Sequence, residues 1–276
     1  MTRPLNIACL QTRPMPDMVS ALEEALPLAR QAVEAGAEML FLPEYCGGLR
    51  TDGPAVAPPS APAGAHMFLD QMRLFAKRHS VWLNLGSIAV DGLDGRIINR
   101  GFMIDDTGNI TGQYDKIHMF DIQLSETEVF RESAHVSPGD CAVIHDTPKA
   151  RIGHTICYDL RFPELFRDLA KSGAEILICP AAFTKKTGQA HWHVLNRARA
   201  IESTRFVVSA CATGPVPGGG ETFGHSLIIN PWGEVLADGG RVRRPYDVKR
   251  DVQAAHGPGG GRVGSKVQDD IGESGE

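Results

Sequence analysis

The sequence predicts an α/β layered fold, and three features carry that prediction. Short apolar runs the length of strands alternate with helical stretches. The first of these runs, Leu5–Leu10 and Met39–Leu42, are apolar at every position but Asn6 rather than alternating, as in strands covered on both faces. Hairpin signals such as Asp105-Asp106-Thr107-Gly108 and Pro231-Trp232-Gly233 are mixed among the crossovers. Together they suit either one mixed sheet or two sheets packed between helices.

The elements follow in order. Residues 17–35 place Leu22, Leu26, Ala29 and Val33 on one stripe, with Asp17 as N-cap and Gly36 in a C′ position. The Pro- and Ala-rich stretch 51–65 reads as a loop, and a helix is expected over 66–79. Strands are expected at 81–90 and 97–105, with 109–116 returning as a hairpin partner. The stretch 117–140 is polar and irregular. Further strands are expected at 141–146, 151–156, 175–179 and 206–211, with helices at 161–172 and 189–203. A hairpin at 223–230 and 234–237 closes the patterned region. Residues 241–276 hold seven Gly and no Leu, Phe, Met or Trp, too little apolar surface to offset ordering entropy. A mobile tail is the expectation there.

Length and charge bound the function. A chain of 276 residues with net charge −5 offers no basic surplus for nucleic acid or an anionic membrane. The amino terminus lacks a signal-peptide pattern, and no run of eighteen apolar residues occurs, so no membrane span is expected. The six cysteines are scattered, without a C-x-x-C pair, which argues against a disulfide framework or a clustered zinc site. A reducing, cytoplasmic setting is the expectation.

Cys157 ends the run RIGHTIC and precedes a helical stretch with Pro163 in its first turn. A cysteine on such a turn lies beside a helix N-terminus, which favours a thiolate and supplies N–H groups for an oxyanion. Glu44 follows the buried run MLFL directly, at the carboxyl end of a strand, where ligands of α/β sheets bind. A carboxylate held there can act as general base. Lys116 closes a hairpin strand, Glu132 sits in a polar loop, and each alone is commonly a solvated surface group. His154 has the wrong strand parity to pair with Cys157, whereas spacing leaves His118 open as a base. His191 and His193 are two apart on a helix and share no face, which disfavours a metal pair.

Three segments, Phe41-Leu42-Pro43-Glu44, Tyr114-Asp115-Lys116-Ile117-His118 and Ile156-Cys157-Tyr158-Asp159-Leu160-Arg161-Phe162-Pro163-Glu164, resemble the signature blocks of the nitrilase superfamily of carbon–nitrogen hydrolases. They occur in the family's order. Ser137-Pro138-Gly139-Asp140, Thr187-Gly188-Gln189-Ala190-His191-Trp192, Arg197–Glu202, and Gly224-His225-Ser226 with Asn230–Gly233 match as well. The resemblance spans about residues 5 to 238 and implies an α-β-β-α four-layer sandwich over residues 1–240, commonly dimeric or larger. It implies Cys157 as nucleophile, Glu44 as general base and acid, Lys116 as the cation facing the oxyanion, and Glu132 as the glutamate that orients that lysine and the substrate. The Tyr158 N–H would be the second oxyanion donor. No metal or organic cofactor is implied.

The Thr-Gly-x-Ala-His-Trp block is similar to the Nit branch, whose amidases act on deaminated glutathione or on ω-amides of α-keto acids. The expected partner is therefore a small-molecule amide, cleaved through a cysteine thioester with release of ammonia. Arg161 is the candidate to hold a substrate carboxylate, unless it pairs with Asp159 or Glu164, and Phe183 and Thr184 are expected to line the pocket. A nitrilase or N-carbamoyl amino acid amidase on the same residues is the alternative, and a catalytically silent interaction protein of the same fold is another. After Ala237-Asp238 the family continues into a further strand and a tail, a pattern this sequence lacks, and weaker dimer packing is the expectation.

Overall fold

The computed structural model describes residues 5–53, 55–123, 125–126, 129–241 and 245–248. In chain order the principal elements are β1 (Ile7–Leu10), α1 (Met18–Glu34), β2 (Met39–Phe41), α2 (Met67–His79), β3 (Trp82–Asn84), β4 (Ile88–Asp91), β5 (Ile97–Ile104) and β6 (Ile110–Asp115). Then come β7 (Val143–Asp146), β8 (Arg151–His154), α3 (Pro163–Lys171), β9 (Ile176–Ile178), α4 (Lys185–Ser203), β10 (Phe206–Ser209), β11 (Leu227–Ile229), β12 (Val235–Asp238) and β13 (Pro245–Val248).

Two sheets form. The first runs β13-β1-β2-β3-β5-β4 and ends on Ser60–Ala61, with β6 and Val136–Ser137 also pairing β5. The second runs β7-β8-β9-β10-β11-β12. Successive strand side chains point to opposite faces, so each strand divides its residues between two cores. Ala8, Leu10 and Leu40 pack with Ala25, Leu28, Phe68 and Met72 of α1 and α2. Their neighbours Ile7, Cys9, Met39 and Phe41 meet Ile152, Ile176, Ile178 and Val208 of the other sheet. Leu177, Val207 and Leu227 turn the opposite way, onto Leu165, Phe166 and Trp192 of α3 and α4. Helices, sheet, sheet and helices therefore stack as an α-β-β-α sandwich. This explains the apolar runs without alternation, since both faces of each central strand are buried.

Local signals held where their chemistry is short-range. Asp17 caps α1 by accepting from Ser20 N at 2.9 Å. The run expected as one strand at 81–90 is broken between β3 and β4, and Gly86 is the reason. Its φ is +66°, and a Cβ there would stand 2.1 Å from the Pro43 carbonyl and 2.2 Å from that of Leu42. The break lets the segment leading to Glu44 pass against the sheet.

Past Asp238 the chain does form a further strand, contrary to the sequence pattern. β13 pairs antiparallel with β1, Ile7 opposite Val248 and Leu10 opposite Pro245. The unpaired groups along an edge strand recruit backbone irrespective of side-chain pattern, and a proline without N–H fits at the strand end. Residues 249–276, where most of the mobile tail was expected, lie outside the described residues.

Candidate active site

β2 delivers Glu44 to the carboxyl end of the first sheet, where it is 4% exposed. Its Oε1 accepts from Asn99 Nδ2 at 2.9 Å and from Lys116 Nζ at 3.0 Å, and its Oε2 accepts from the Ala182 N–H at 2.9 Å. Asn99 lies on β5, Lys116 follows β6, and Ala182 follows β9, so both sheets hold one carboxylate.

Lys116 is among the largest fully enclosed side chains. Its ammonium lies 2.9 Å from both oxygens of Glu132, in the short helical turn Glu132–Ala134. Glu132 Oε2 also accepts from the Phe120 N–H at 2.6 Å. Burial alone would strip the proton from Lys116. Glu132 and then Glu44 outweigh it and hold the ammonium well above the usual lysine range. The Lys116 carbonyl accepts from Gly139 N at 2.8 Å, and a Cβ at Gly139 would strike the Asp115 carbonyl at 2.4 Å. The Ser-Pro-Gly-Asp turn thus braces the lysine.

Cys157 opens a 3₁₀ turn, Cys157–Arg161, and α3 begins only at Pro163. Its φ is +49°, left-handed for a residue with a Cβ, a conformation that costs about 1–3 kcal/mol and recurs at catalytic turns. Its own N–H donates to Pro180 O at 2.9 Å, while the Tyr158 N–H makes no hydrogen bond among the described residues. The surroundings of the sulfur work against the expected thiolate. Burial, the Glu44 charge and a hydrogen bond to that carboxylate raise the thiol well above its usual range, against the pull of Lys116. No α-helix N-terminus adjoins the sulfur to offset this.

Asp159 ties the lysine and cysteine segments together. Fully buried, it accepts from Tyr114 Oη at 2.7 Å, from His118 N at 3.0 Å and from Ile156 N at 2.8 Å. His118 Nδ1 is 2.7 Å from the same carboxylate, and its ring stacks on Phe162 at 3.6 Å. His118 is thereby occupied in holding Asp159 rather than facing the sulfur.

A cavity of about 770 Å³ opens over these groups and is lined by Glu44, Lys116, Glu132, Cys157 and Tyr158, with Phe183 and Thr184 on its wall. All the residues chosen from sequence meet there except Arg161. Its guanidinium instead lies 5.6 Å from the centroids of both Tyr158 and Phe183, and 3.3 Å from His191 Nδ1. It neither reaches the cavity nor pairs with Asp159 or Glu164. Besides Lys116, the cations lining the cavity are Arg131, Lys185 and Lys186. Sequence reasoning also missed Tyr45, whose hydroxyl is buried without a hydrogen-bond partner among the described residues. Burial and the Glu132 charge, opposed by Lys116, raise its pKa well above normal. Its φ of +52° follows Glu44 directly, and nothing in the local sequence signals it.

A thiol, a carboxylate able to take its proton and a fixed ammonium in one enclosed cavity are the equipment of a cysteine-dependent acyl-transfer hydrolase. The sequence model of the carbon–nitrogen hydrolase family matches residues 6–245, and the chain belongs to that family. It is 38% identical over 243 residues to a deaminated glutathione amidase of Synechocystis, covering 86% of this chain and 88% of the relative. The human deaminated glutathione amidase is 35% identical over 236 residues, covering 84% and 72%. Among solved structures, the C. elegans NitFhit protein aligns at TM-score 0.80 with 30% identity, covering 90% of this chain and 61% of that one. Saccharomyces cerevisiae Nit3, a member of branch 10 of the nitrilase superfamily, aligns at TM-score 0.79 with 24% identity over 91% and 92%.

Proposed function

We propose that the protein is an amidase that cleaves a carboxylate-bearing amide of the deaminated glutathione type through a Cys157 thioester. The observation that carries this reading is the sharing of one cavity by Glu44, Lys116 and Cys157. Glu44 takes the thiol proton as sulfur attacks the amide carbon. Lys116 and the Tyr158 N–H hold the oxyanion, each such donor contributing on the order of 10²–10³ in rate. Glu44 then protonates the leaving nitrogen and activates the water that opens the thioester, a role contributing roughly 10²–10⁴. Glu132 fixes the lysine. For a deaminated glutathione the scissile amide is substituted, so the leaving group is an amine, and ammonia is released only from a primary ω-amide.

Cavity size and charge support the larger substrate. About 770 Å³ is room for a ligand well beyond a simple aliphatic amide. Lys185 and Lys186 stand in the first turn of α4, where the helix macrodipole disfavours cations. A local rule broken beside a cavity points to a ligand, and both lysines and the helix end would attract a substrate carboxylate. Lys185 is partnered at 2.6 Å by Glu221.

The test is a panel of deaminated glutathione, an α-keto acid ω-amide, a simple nitrile and an N-carbamoyl amino acid. Highest kcat/KM on the first is expected, with KM for it rising about tenfold in Lys186→Met. Preference for the nitrile or the carbamoyl compound would move the protein to another activity of the same machinery. Turnover of none would favour a silent interaction protein.

We also place the protein as a homodimer or larger homo-oligomer in the cytoplasm. Val194, Ile201 and Trp232 are 67%, 50% and 89% exposed, and the loop carrying Trp232 is tied to α4 by Arg197 Nε donating to Gly233 O at 2.8 Å. These form an apolar face suited to a second copy. All six cysteines are unpaired, as a reducing compartment requires, and among the described residues no helix is long and apolar enough to cross a membrane. Sizing chromatography of the wild type and Trp232→Glu tests the dimer, and a monomeric wild type would refute it.

A further inference from the structure

Away from the cavity, one group of metal-ligating side chains converges among the described residues: His193, His225 and Asp238, with ligand atoms all within 4.8 Å of one another. His193 comes from α4, His225 from the loop after Phe223, and Asp238 from the end of β12. Asp238 Oδ2 lies 3.0 Å from His193 Nε2 and 3.1 Å from His225 Nδ1. With metal–ligand bonds of about 2.0–2.2 Å, neighbouring donors stand about 3 Å apart at right angles and about 3.4 Å apart at tetrahedral ones. Two edges of a coordination polyhedron are therefore present, and the third closes with a small turn of one imidazole. The two rings are 5.0 Å apart and inclined at 73°, so they are not stacked against that motion.

The surroundings orient the donors. Gly240 N donates to Asp238 Oδ1 at 2.8 Å, an oxygen that also lies 2.8 Å from His225 Nδ1, while Oδ2 faces both rings. The Phe223 ring stacks on His225 at 4.5 Å and meets His193 edge-on at 6.1 Å. Trp192 Nε1 donates to the His225 carbonyl at 2.7 Å. The three side chains are 36%, 22% and 34% exposed, so water can complete the coordination sphere.

We propose that His193, His225 and Asp238 form an open two-histidine, one-carboxylate site for a divalent first-row transition ion of the zinc, nickel or copper kind, which pins α4 to the end of β12. Imidazole and carboxylate donors select these ions over magnesium or calcium. Binding replaces the hydrogen bonds from the two rings to Asp238 with metal bonds, and the single proton of each imidazole moves from the ligating nitrogen to the other one. The role is structural. The ion anchors the helix whose first turn lines the cavity to the strand from which the chain continues toward β13, and hydrolysis by Cys157 proceeds without it.

The experiment uses the full chain, free of any affinity tag and carrying Cys141→Ser to remove the exposed thiol. Zinc is titrated against a chromophoric chelator, and cobalt is added as a spectroscopic probe. One equivalent should bind and raise Tm. His193→Gln, a part-buried position on α4 outside the cavity lining, should weaken zinc affinity about tenfold or more and abolish the Tm shift, with kcat within about twofold of the parent. Cobalt should give ligand-field bands without a thiolate charge-transfer band. Equal zinc affinity in parent and His193→Gln, a thiolate band, or no saturable binding would overturn the proposal.

Discussion

The Lys116 ammonium and the Glu44 carboxylate stand 3.0 Å apart, with side chains only 2% and 3% exposed. A pair so enclosed costs desolvation to assemble and leaves an uncompensated charge when either member is removed. Lys116→Met would leave Glu44 and Glu132 facing each other without a cation. We expect a stability loss of about 3–5 kcal/mol in urea titrations and a kcat loss on the order of 10²–10³. Lys116→Met together with Glu132→Gln should recover part of the stability and none of the activity.

Burial and then the Glu44 carboxylate raise the pKa of the Cys157 thiol well above its usual range, and Lys116 only partly offsets them. Removing the negative neighbour lowers the pKa of the thiol. Glu44→Gln should therefore shift iodoacetamide alkylation of Cys157 to lower pH while kcat falls by about 10²–10⁴. Alkylation moving to higher pH would contradict this arrangement of charges.

Tyr45 carries a buried hydroxyl with no partner among the described residues, on the wall of the cavity. Tyr45→Phe removes an unsatisfied polar group. Thermal unfolding should show a gain of up to about 1 kcal/mol. If the hydroxyl bonds the bound substrate, kcat/KM should fall by up to about tenfold, since one neutral hydrogen bond is worth about 0.5–1.5 kcal/mol.

Between the sheets, His145 Nε2 and His154 Nδ1 lie 2.9 Å apart, both buried. Burial lowers His145 to about 4 and His154 well below the ordinary value, which the charge of His145 depresses further. In the unfolded chain each takes a proton near pH 6.5, so between about 6.5 and 4 the unfolded state binds more protons. Stability should therefore rise with pH through that window and decline as pH falls, by a total on the order of 3 kcal/mol for His145. Urea titrations from pH 7 to 4 measure it, and His145→Gln should flatten the slope.

Much of the fold was legible because its signals are local or periodic. Asp17 capped its helix, and the runs at β1, β2 and β9 were apolar because both faces of their strands are covered. Cys157, Glu44 and Lys116 were found through their motifs, since no spacing along the chain tells that three distant segments converge. What stayed hidden depends on tertiary approach. The break at Gly86 reflects carbonyls more than forty residues upstream, the pairing of β13 reflects an open sheet edge, and Arg161 stacks on Tyr158 and Phe183 beside a cavity that its place in sequence suggested it would enter. Lys185 and Lys186 lay ahead of the helix expected over 189–203, which starts at Lys185 instead.

Carriage of the acyl group on one sulfur is measured most directly by acid quench during turnover of deaminated glutathione, followed by peptide mapping by mass spectrometry. An adduct of the acyl mass, labile to hydroxylamine, should appear on the peptide containing Cys157 and be absent in Cys157→Ala, which should not turn over. An adduct on another residue, or undiminished turnover by Cys157→Ala, would contradict it.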